Sequence, residues 1–263
     1  MILWMMLNGT IVNTAAVLFG GTAGLAIRGS LPDRYRECVM NVLGLVTITL
    51  GIDASVLTFS STAARMAPQV EDGRTYGARM ALIMISSLIV GGALGTFLRI
   101  HQRIDDLGRW IHRRFAKGGG NEGQFAEGFL TASVIFCVGP LTLLGCLKNG
   151  ADGDPTYLYI KSILDGFCAI ALASSLGLGV LASMMTVLVF QGGLALAAAS
   201  LPLEPFSMDM MTIVGGILLL ATALLLLDLK RMPVADLLPA IFLPPLIVAV
   251  VDQVRPGLLL PVT

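Results

Sequence analysis

Charge is the scarcest property of this sequence. Only 13% of the 263 residues are Asp, Glu, Lys or Arg, whereas 56% are hydrophobic. A soluble domain carries about a quarter charged residues, so the chain is predicted to be an integral membrane protein. The formal net charge is zero, which argues against a nucleic-acid partner because no basic excess is available to neutralise phosphates.

Cysteine, histidine and N-terminal charge are scarce as well. No CxxC pair is present, so the cysteines are interpreted as small buried hydrophobes rather than as disulfides or metal ligands. No Lys or Arg precedes Arg28, so the N-terminus lacks the positive region of a cleaved signal peptide and is the expected start of a retained first span. No metal site and no cofactor are predicted. The four cysteines, all in or beside apolar runs, are Cys38, Cys137, Cys146 and Cys168.

Long apolar runs, in contrast, are abundant. A helix needs about 20 apolar residues to cross the hydrocarbon core, and the runs predict an all-α, polytopic transmembrane bundle that forms a single domain over residues 1–263. Gly177 and Gly179 are the expected site of a tight turn between the fifth and sixth spans. The eight predicted spans cover about 7–27, 38–60, 78–99, 125–147, 158–180, 181–201, 209–229 and 235–252.

The distribution of Lys and Arg predicts the orientation of the bundle. Eleven of the 17 basic residues fall in the segments 28–37, 99–124 and 228–236, and the positive-inside rule puts these segments in the cytoplasm. The loop 61–78, with Arg65 and Arg74 and with Arg79 directly after it, does not fit the pattern. An even number of spans then puts both termini outside, in the periplasm.

The segment 100–115, IHQRIDDLGRWIHRRF, is too polar to span a membrane but has one apolar side. Ile100, Ile104 and Leu107 continue at helical spacing to Phe115, and arginines mark the other side. We expect an interfacial amphipathic helix whose cations face anionic lipid. A solvated linker helix is the alternative.

A glycine pattern occurs twice, in VLFGGTAGLAIR at 17–28 and LIVGGALGTFLR at 88–99. Both segments contain GGxxGxxxR, and glycines four apart let two helix backbones approach closely in lipid. The duplication predicts an internal repeat of helical hairpins. Repeats around a midplane site are common in transporters, but such glycines also occur in other membrane bundles. The predicted helix-packing residues are Gly20, Gly21, Gly24, Gly91, Gly92 and Gly95.

The fifth span carries two charges inside its apolar run. Lys161 and Asp165 are four residues apart and share one helix face, and a carboxylate at that depth costs roughly 3 kcal/mol. One hypothesis is that the pair only locks helices together. The other is that Asp165 lines a wet, reachable cavity and binds a cation, a proton or a polar substrate. The second is favoured because buried ion pairs are poor stabilisers.

The fourth span is interrupted by proline. Pro140 has no N–H to donate and leaves the carbonyl of Phe136 without its helical partner, and Gly139 makes a break easier. A simple kink is the alternative. The eighth span must also be irregular, because it contains Pro239, Pro244 and Pro245.

Other polar residues are weaker indications of the same site. Thr10 and Asn13 in the first span and Gln191 in the sixth either bridge helices or line the cavity, whereas 149–155, NGADGDP, is expected to be a plain turn. The predicted solute or ion pathway consists of Asn13, Cys137, Gly139, Pro140, Thr142, Lys148, Lys161, Asp165, Ser175 and Gln191.

The whole chain resembles one bacterial family. The segments EGFLTASVIFCVGPLTLLGCLKNGADGD and YLYIKSILDGFCAIALASSLGLGVLAS, through FCVGP and KSxLDG, are its most specific parts, and GTIVNTAAVLFGGTAGL and FQGGL fit the same pattern. They are similar to the inner-membrane proteins called domain of unknown function 554, the YqgA-like and YdfK-like proteins. The resemblance implies a helical bundle in the bacterial inner membrane and leaves the activity open. The matching positions are Asn13, Cys137, Gly139, Pro140, Gly145, Lys148, Lys161, Asp165 and Gln191.

Three classes of function are compatible with these features. The leading hypothesis is a secondary transporter or channel for a small ionic or polar solute, with Asp165 as its carboxylate and Lys161 as the partner. A non-catalytic scaffold or sensor is the second. An intramembrane lipid-modifying enzyme is weaker because no HExxH, GxSxG or Walker motif is present, so no enzymatic activity is predicted. The expected partners are the lipid bilayer and the solute, and homo-oligomerisation is left open.

Overall fold

The computed structural model describes residues 2–27, 33–70, 73–115, 121–200 and 203–260, and in these ranges the chain forms helices and no strand. This confirms the all-α prediction. The α-helices are α1 (Ile2–Ala26), α2 (Asp33–Ile52), α3 (Thr58–Met66), α4 (Tyr76–Phe97), α5 (Ile100–Phe115), α6 (Asn121–Cys137), α7 (Pro140–Ala151), α8 (Thr156–Leu176), α9 (Leu178–Ala199), α10 (Pro205–Leu226), α11 (Val234–Leu237) and α12 (Leu243–Val254).

These helices form two compact units. The first unit comprises Met1–Val42 and Gln102–Pro202, and the second comprises Leu43–His101 and Leu203–Thr263. The chain changes unit within α2, within α5 and between α9 and α10. The single domain over 1–263 stays a prediction.

Seven helices in the described ranges are long and apolar enough to cross a bilayer, and α6 with α7 forms a further, bent candidate. The polytopic bundle predicted from the apolar runs is therefore confirmed. The seven are Trp4–Ala26, Asn41–Gln69, Gly73–Phe97, Thr156–Leu176, Leu178–Ala199, Pro205–Leu226 and Val234–Val254.

The bent pair α6–α7, with an angle of 62°, traverses the first unit once. At the start of α9, a Cβ on Gly179 would lie 1.9 Å from the carbonyl oxygen of Phe125 in α6. Near the end of α9, a Cβ on Gly150 of α7 would lie 2.0 Å from the carbonyl oxygen of Ala195. The two contacts are about 24 Å apart along α9 at 1.5 Å per residue. This arrangement is that of one broken span rather than a re-entrant loop, which makes eight candidate spans within the described ranges.

Close backbone contacts organise the first unit. Gly20 and Gly24 of α1 face α8, where an added Cβ would lie 2.2 Å from the carbonyl oxygen of Gly166 and 2.4 Å from that of Ile170. The turn between α8 and α9 is at Gly177, which has φ of 77°. The predicted boundary at residue 180 is thus three residues late, because Gly179 lies inside α9, where its lack of a side chain admits α6.

The second unit has its own apolar core and its own glycine contacts. Tyr76, Met80 and Phe206 are among the buried residues of this core. Gly91 and Gly95 of α4 face the eighth span, where an added Cβ on Gly95 would lie 1.9 Å from the carbonyl oxygen of Asp236. Both sets of predicted packing glycines thus contact other helices, including Gly21 against α9 and Gly92 against α11. The internal repeat itself stays a prediction, and its first arginine, at position 28, lies outside the described residues.

Two spans of the second unit are irregular. The eighth passes from α11 through a 3₁₀ segment, Leu238–Phe242, into α12, as its prolines predicted. The second contains a π-helical turn, Asp53–Leu57, between α2 and α3, which the sequence did not predict. Gly216 of α10 packs against this turn at Ala54 and Ser55.

The segment predicted to lie in the interface is the helix α5. Asp236 caps its start, because the Asp236 carboxylate accepts a hydrogen bond from the His101 backbone N–H at 2.7 Å, where the helix dipole favours negative charge. On its exposed part, Asp106 accepts a hydrogen bond from Arg109 that raises the pKa of the guanidinium. Trp110 is 53% exposed.

Candidate functional site

Polar side chains from three helices meet inside the first unit. This central polar cluster consists of Asn13 from α1, Lys161 and Asp165 from α8, and Gln191 from α9. The Lys161 Nζ lies 2.8 Å from each carboxylate oxygen of Asp165. The Asn13 Nδ2 donates to Asp165 Oδ2 at 2.9 Å and to Gln191 Oε1 at 3.0 Å. The fold thus brings together four residues of the predicted pathway.

The close packing of α1 on α8 explains how a side chain as short as asparagine reaches Asp165. Gly20 lies two turns after Asn13 on the same face, and Gly166 follows Asp165 directly. Because Gly20 has no Cβ, the α1 backbone packs directly against the carbonyl of Gly166. Small residues of this kind are what allow membrane helices to approach closely.

The cluster lies at mid-height in its helices. Asp165 is nine residues after the start of α8 at Thr156 and eleven before its end at Leu176, or about 14 and 17 Å at 1.5 Å per residue. Asn13 is equally central in α1. Asp165 is therefore near the middle of α8, and it is further from the start of the span than the predicted start at residue 158 implied.

The break between α6 and α7 adjoins the cluster. The carbonyl oxygen of Phe136, which loses its helical partner at Pro140, accepts a hydrogen bond from Thr142 Oγ1 at 3.2 Å and a long one from Gln191 Nε2 at 3.5 Å. Gly139 is extended, with φ of −179°. Gln191 therefore connects the ion pair, through Asn13, to the released backbone of the broken span.

The charged pair is almost completely buried in this conformation. The side chains of Lys161 and Asp165 are 7% and 8% exposed. Asp165 is therefore not in an open, wet cavity as the favoured hypothesis expected, but its partners are polar rather than aliphatic. Cys137 of α6 and Cys146 of α7 are buried and lie within electrostatic range of Lys161.

Two buried oxygen atoms beside the cluster have no hydrogen-bond partner among the residues described. They are Asn13 Oδ1 and Thr10 Oγ1, both on fully buried side chains of α1. Exchanging the Asn13 amide oxygen and nitrogen would place the oxygen against the Asp165 carboxylate and Gln191 Oε1, which are acceptors too. The nitrogen therefore faces these groups, and Oδ1 is the atom without a partner among the described residues. Thr10 is three residues away on the same helical face and lies beside Gly192, next to Gln191. Unpaired buried acceptors are rare and costly.

Two residues of the predicted pathway lie away from both the cluster and the helix break. Lys148 forms an ion pair with Asp152 at 3.2 Å, at the end of α7. Ser175 is exposed near the end of α8, and its hydroxyl donates to the backbone carbonyl of Ala171 at 2.9 Å. It lies about 15 Å along the helix from Asp165 at 1.5 Å per residue.

Asn149 has a role that sequence reasoning missed. It was expected in a plain turn, but α7 continues to Ala151 and Asn149 is fully buried. Its Nδ2 donates to the Met5 carbonyl at 2.8 Å and to Asn8 Oδ1 at 3.0 Å, and its Oδ1 accepts from the Gly9 N–H at 3.3 Å. The available signal was its position seven residues after Thr142, on the same face of α7.

The second unit contains a separate polar group and a cleft. Asp209 of α10 accepts hydrogen bonds from Thr62 at 2.9 Å and from Arg65. Beside them, Arg65, Glu204 and Asp252 line an open cleft of about 490 Å³. This cleft could not be predicted from the sequence, because its residues come from three distant segments.

No three His, Cys, Asp or Glu side chains within the described part of the chain are grouped to hold a metal ion. The described residues therefore form a buried polar cluster at a helix break. Its two charges balance, and two oxygen atoms in and beside it have no hydrogen-bond partner among those residues. Such an arrangement can bind a small cation or relay a proton, because its unpaired groups are an amide oxygen, which accepts hydrogen bonds, and a hydroxyl, which both accepts and donates.

Comparison with known proteins identifies relatives of this chain. It is 30% identical over 245 residues to the uncharacterized membrane protein YdfK of Bacillus subtilis strain 168, covering 92% of this chain and 96% of that protein. It is 30% identical over 243 residues to the uncharacterized protein YqgA of Escherichia coli K12, covering 90% and 94%. No solved structure matches the chain. A family model described as protein of unknown function, DUF554, matches residues 8–249, and the chain belongs to this family of membrane proteins.

Proposed function

We propose that the protein is a secondary transporter or channel for a small ionic or polar solute, and that the central polar cluster is its binding site. The observation that supports this most is the hydrogen-bonded Lys161–Asp165 pair at mid-height beside the broken span. Discontinuous helices around a midplane site are the usual construction of secondary transporters. Ionisable residues at this depth generally mark a functional pathway.

A purely structural role explains the cluster less well. Burying two charges costs about as much as their attraction returns, so a packed apolar pair at 161 and 165 would hold α8 as firmly. A structural cluster would also be expected to satisfy its own atoms, whereas Asn13 Oδ1 has no partner in the described part of the chain. Neither the buried charge pair nor the unpaired oxygen would help a non-catalytic scaffold to hold its helices together.

The burial of the pair favours a transporter over a permanently open channel. With side-chain exposures of 7% and 8%, the site corresponds to an occluded conformation. Solute access then requires a movement, and the junction at Gly139, between the two half-helices, is the proposed hinge. Moving α6 or α7 would separate the Phe136 carbonyl from Gln191 and so open one side of the cluster.

The proposed setting is the bacterial inner membrane, with both termini in the periplasm. The excess of Lys and Arg in the segments 28–37, 99–124 and 228–236 supports this orientation. In it, α5 lies along the cytoplasmic surface with its arginines toward anionic headgroups and Leu107 and Trp110 toward the acyl chains.

The proposal is tested by reconstituting the purified protein in liposomes and screening a panel of ions and small polar solutes for flux. We expect at least one solute to move, and Asp165→Asn to stop its movement. Ser162→Ala is the matched control, because it alters the neighbouring buried position, whose hydroxyl bonds only to the carbonyl of Leu158 in its own helix. Gel filtration verifies that both variants fold. Absence of flux over the whole panel, or normal flux in Asp165→Asn, contradicts the proposal.

A further inference from the structure

The charges of the central polar cluster cancel. Asp165 carries the negative charge, Lys161 the positive one, and α1 and α9 contribute only the neutral amides of Asn13 and Gln191. From α6 and α7, the titratable side chains within electrostatic range are Cys137 and Cys146, which are thiols and normally uncharged at neutral pH. A net charge at this depth is far more costly than a neutral pair. An ion that enters must therefore be balanced by a charge that leaves.

The free groups of the cluster are suited to cations. Asn13 Oδ1 and Thr10 Oγ1 have no partner among the described residues. The nitrogen of the same Asn13 amide contacts Asp165 Oδ2 and Gln191 Oε1, and Thr10 is one turn away from Asn13 on α1. Carboxylate, amide and hydroxyl oxygens are the ligands of hard cations. A divalent ion would keep an excess charge beside the one carboxylate, and an anion would meet oxygen acceptors. The set fits a small monovalent cation.

Building on the proposed function, we infer that this cluster exchanges one monovalent alkali cation for one proton, with Lys161 as a tethered competitor for Asp165. The cation binds to Asp165, Asn13 Oδ1 and Thr10 Oγ1. The Lys161 ammonium breaks one N–H bond, passes the proton to water on the side to which the site is open, and stays as a neutral amine. One positive charge enters and one leaves, so the cluster is neutral in both states and no other bond changes.

The geometry of the pair explains why the exchange is obligatory. The Lys161 Nζ is 2.8 Å from both carboxylate oxygens, the positions that a bound cation would use. The ammonium and the cation therefore cannot both occupy Asp165. When the cation leaves, the unpaired carboxylate draws a proton back onto the amine, because an isolated buried charge is unfavourable.

The test uses liposomes that contain the full chain and a pH-sensitive dye in the lumen. Lithium, sodium, potassium or rubidium chloride is added outside in place of choline chloride. We expect at least one of these cations to make the lumen alkaline, as cations enter and protons leave. The cation-driven pH change should not depend on an imposed membrane potential, because the exchange carries no net charge.

Variants at Lys161 separate cation binding from proton release. Lys161→Met retains the carboxylate but has no proton to give, so we expect exchange of radioactive sodium or rubidium to continue without any pH change. Lys161→Arg keeps the charge but cannot release a proton, and we expect both movements to stop. Asp165→Asn should also lose both, and Ser162→Ala should lose neither. Gel filtration again verifies folding, and if Lys161→Met does not fold, Lys161→Arg carries the test.

The possible failures point to different conclusions. If a solute crosses the liposome membrane but no alkali cation moves protons, the exchange is refuted and the proposed function stands. Proton movement that persists in Lys161→Arg also refutes the exchange. If no solute moves at all, both the exchange and the proposed function are refuted.

Discussion

At the scale of single residues, Asp165 determines the energetics of the central polar cluster. Its two carboxylate oxygens receive hydrogen bonds from Lys161 and Asn13, so each donor compensates part of the cost of burying the charge. Removing one donor leaves the charged carboxylate buried with fewer hydrogen bonds to stabilise it. The residues of the cluster are therefore expected to be coupled in stability.

Substitution of Lys161 tests this coupling. We expect Lys161→Met to lower the free energy of unfolding by about 3–5 kcal/mol, because an unpaired buried charge remains. The double variant Lys161→Met/Asp165→Asn removes both charges and should recover most of that loss. Denaturation in detergent micelles, without alkali cations, measures both. A double variant as unstable as the single one would contradict the coupling.

Substitution of Asn13 tests the second donor. Asn13→Leu removes the hydrogen bonds to Asp165 and Gln191, which leaves Gln191 Oε1 unpaired and Asp165 Oδ2 with Lys161 alone, so we expect a loss of about 2–3 kcal/mol. Thr14→Val is the matched control, because the Thr14 hydroxyl donates only to the Thr10 carbonyl in its own helix. The same denaturation assay applies, and equal losses in the two variants would show that the contacts across helices contribute nothing.

The sequence predicted part of this site. Lys161 and Asp165 are four apart on one helix, so local geometry alone makes them neighbours. Asn13 and Gln191 are 152 and 26 residues from Asp165, and their convergence on it depends on helix packing that no local pattern specifies. The polar residues were recognised in the sequence, but the contacts among them and the burial of Asn149 required the fold.

At the scale of elements, the broken span α6–α7 is connected to the central polar cluster through the Phe136 carbonyl. Pro140 begins α7 and removes the N–H that the Phe136 carbonyl would use in a continuous helix. That carbonyl turns to Thr142 and Gln191 instead. The geometry of the break and the hydrogen bonds of the central polar cluster therefore depend on each other.

Replacing the proline tests the role of the break. We expect Pro140→Ala to restore a helical hydrogen bond to the Phe136 carbonyl, to reduce the 62° bend and to slow solute flux. Spin labels at the exposed positions Phe125 and Ala151 would report a longer distance between the ends of the span. Gly193→Ala in α9 is the control, because no atom lies within 4 Å of an added Cβ there and the break is left unchanged. An unchanged distance in Pro140→Ala would refute this role.

The α1–α8 contact gives a second prediction at this scale. Gly20→Ala would place a Cβ 2.2 Å from the Gly166 carbonyl oxygen, so the helices must move apart, at a cost of about 1–3 kcal/mol. Because Asn13 reaches Asp165 across the same contact, we expect flux to fall as well. Gly193→Ala, where an added Cβ meets no atom within 4 Å, should change neither property. Thermal denaturation and the flux assay compare the two variants.

At the scale of the whole molecule, the number of spans determines where the termini lie. α6 and α7 contact opposite ends of α9 and count as one span, so the described residues contain eight candidate spans, an even number. We expect alkaline phosphatase fused to either terminus to be active in the periplasm, and a fluorescent protein inserted near Lys230 to be active in the cytoplasm. Opposite locations of the two termini would contradict an eight-span bundle.

Most of the architecture was predictable, because apolar length is a strong local signal. Lipid imposes about 20 apolar residues on every crossing, and the predicted spans coincide with the observed helices to within a few residues at most ends. The π-helical turn at Asp53–Leu57 was not predictable, since no proline or glycine pair lies within it. Nor was the end of α8, because Gly177 and Gly179 look alike in sequence and only the packing of α6 on Gly179 distinguishes them.

The division of the fourth span also affects how the protein is made. α7, with 12 residues, extends about 18 Å, well short of the roughly 30 Å hydrocarbon core, and its Lys148 and Asn149 weaken its insertion further. α7 therefore cannot cross the hydrocarbon by itself, and we expect it to be integrated only together with α6, so that the two half-helices enter the bilayer as one unit of biosynthesis.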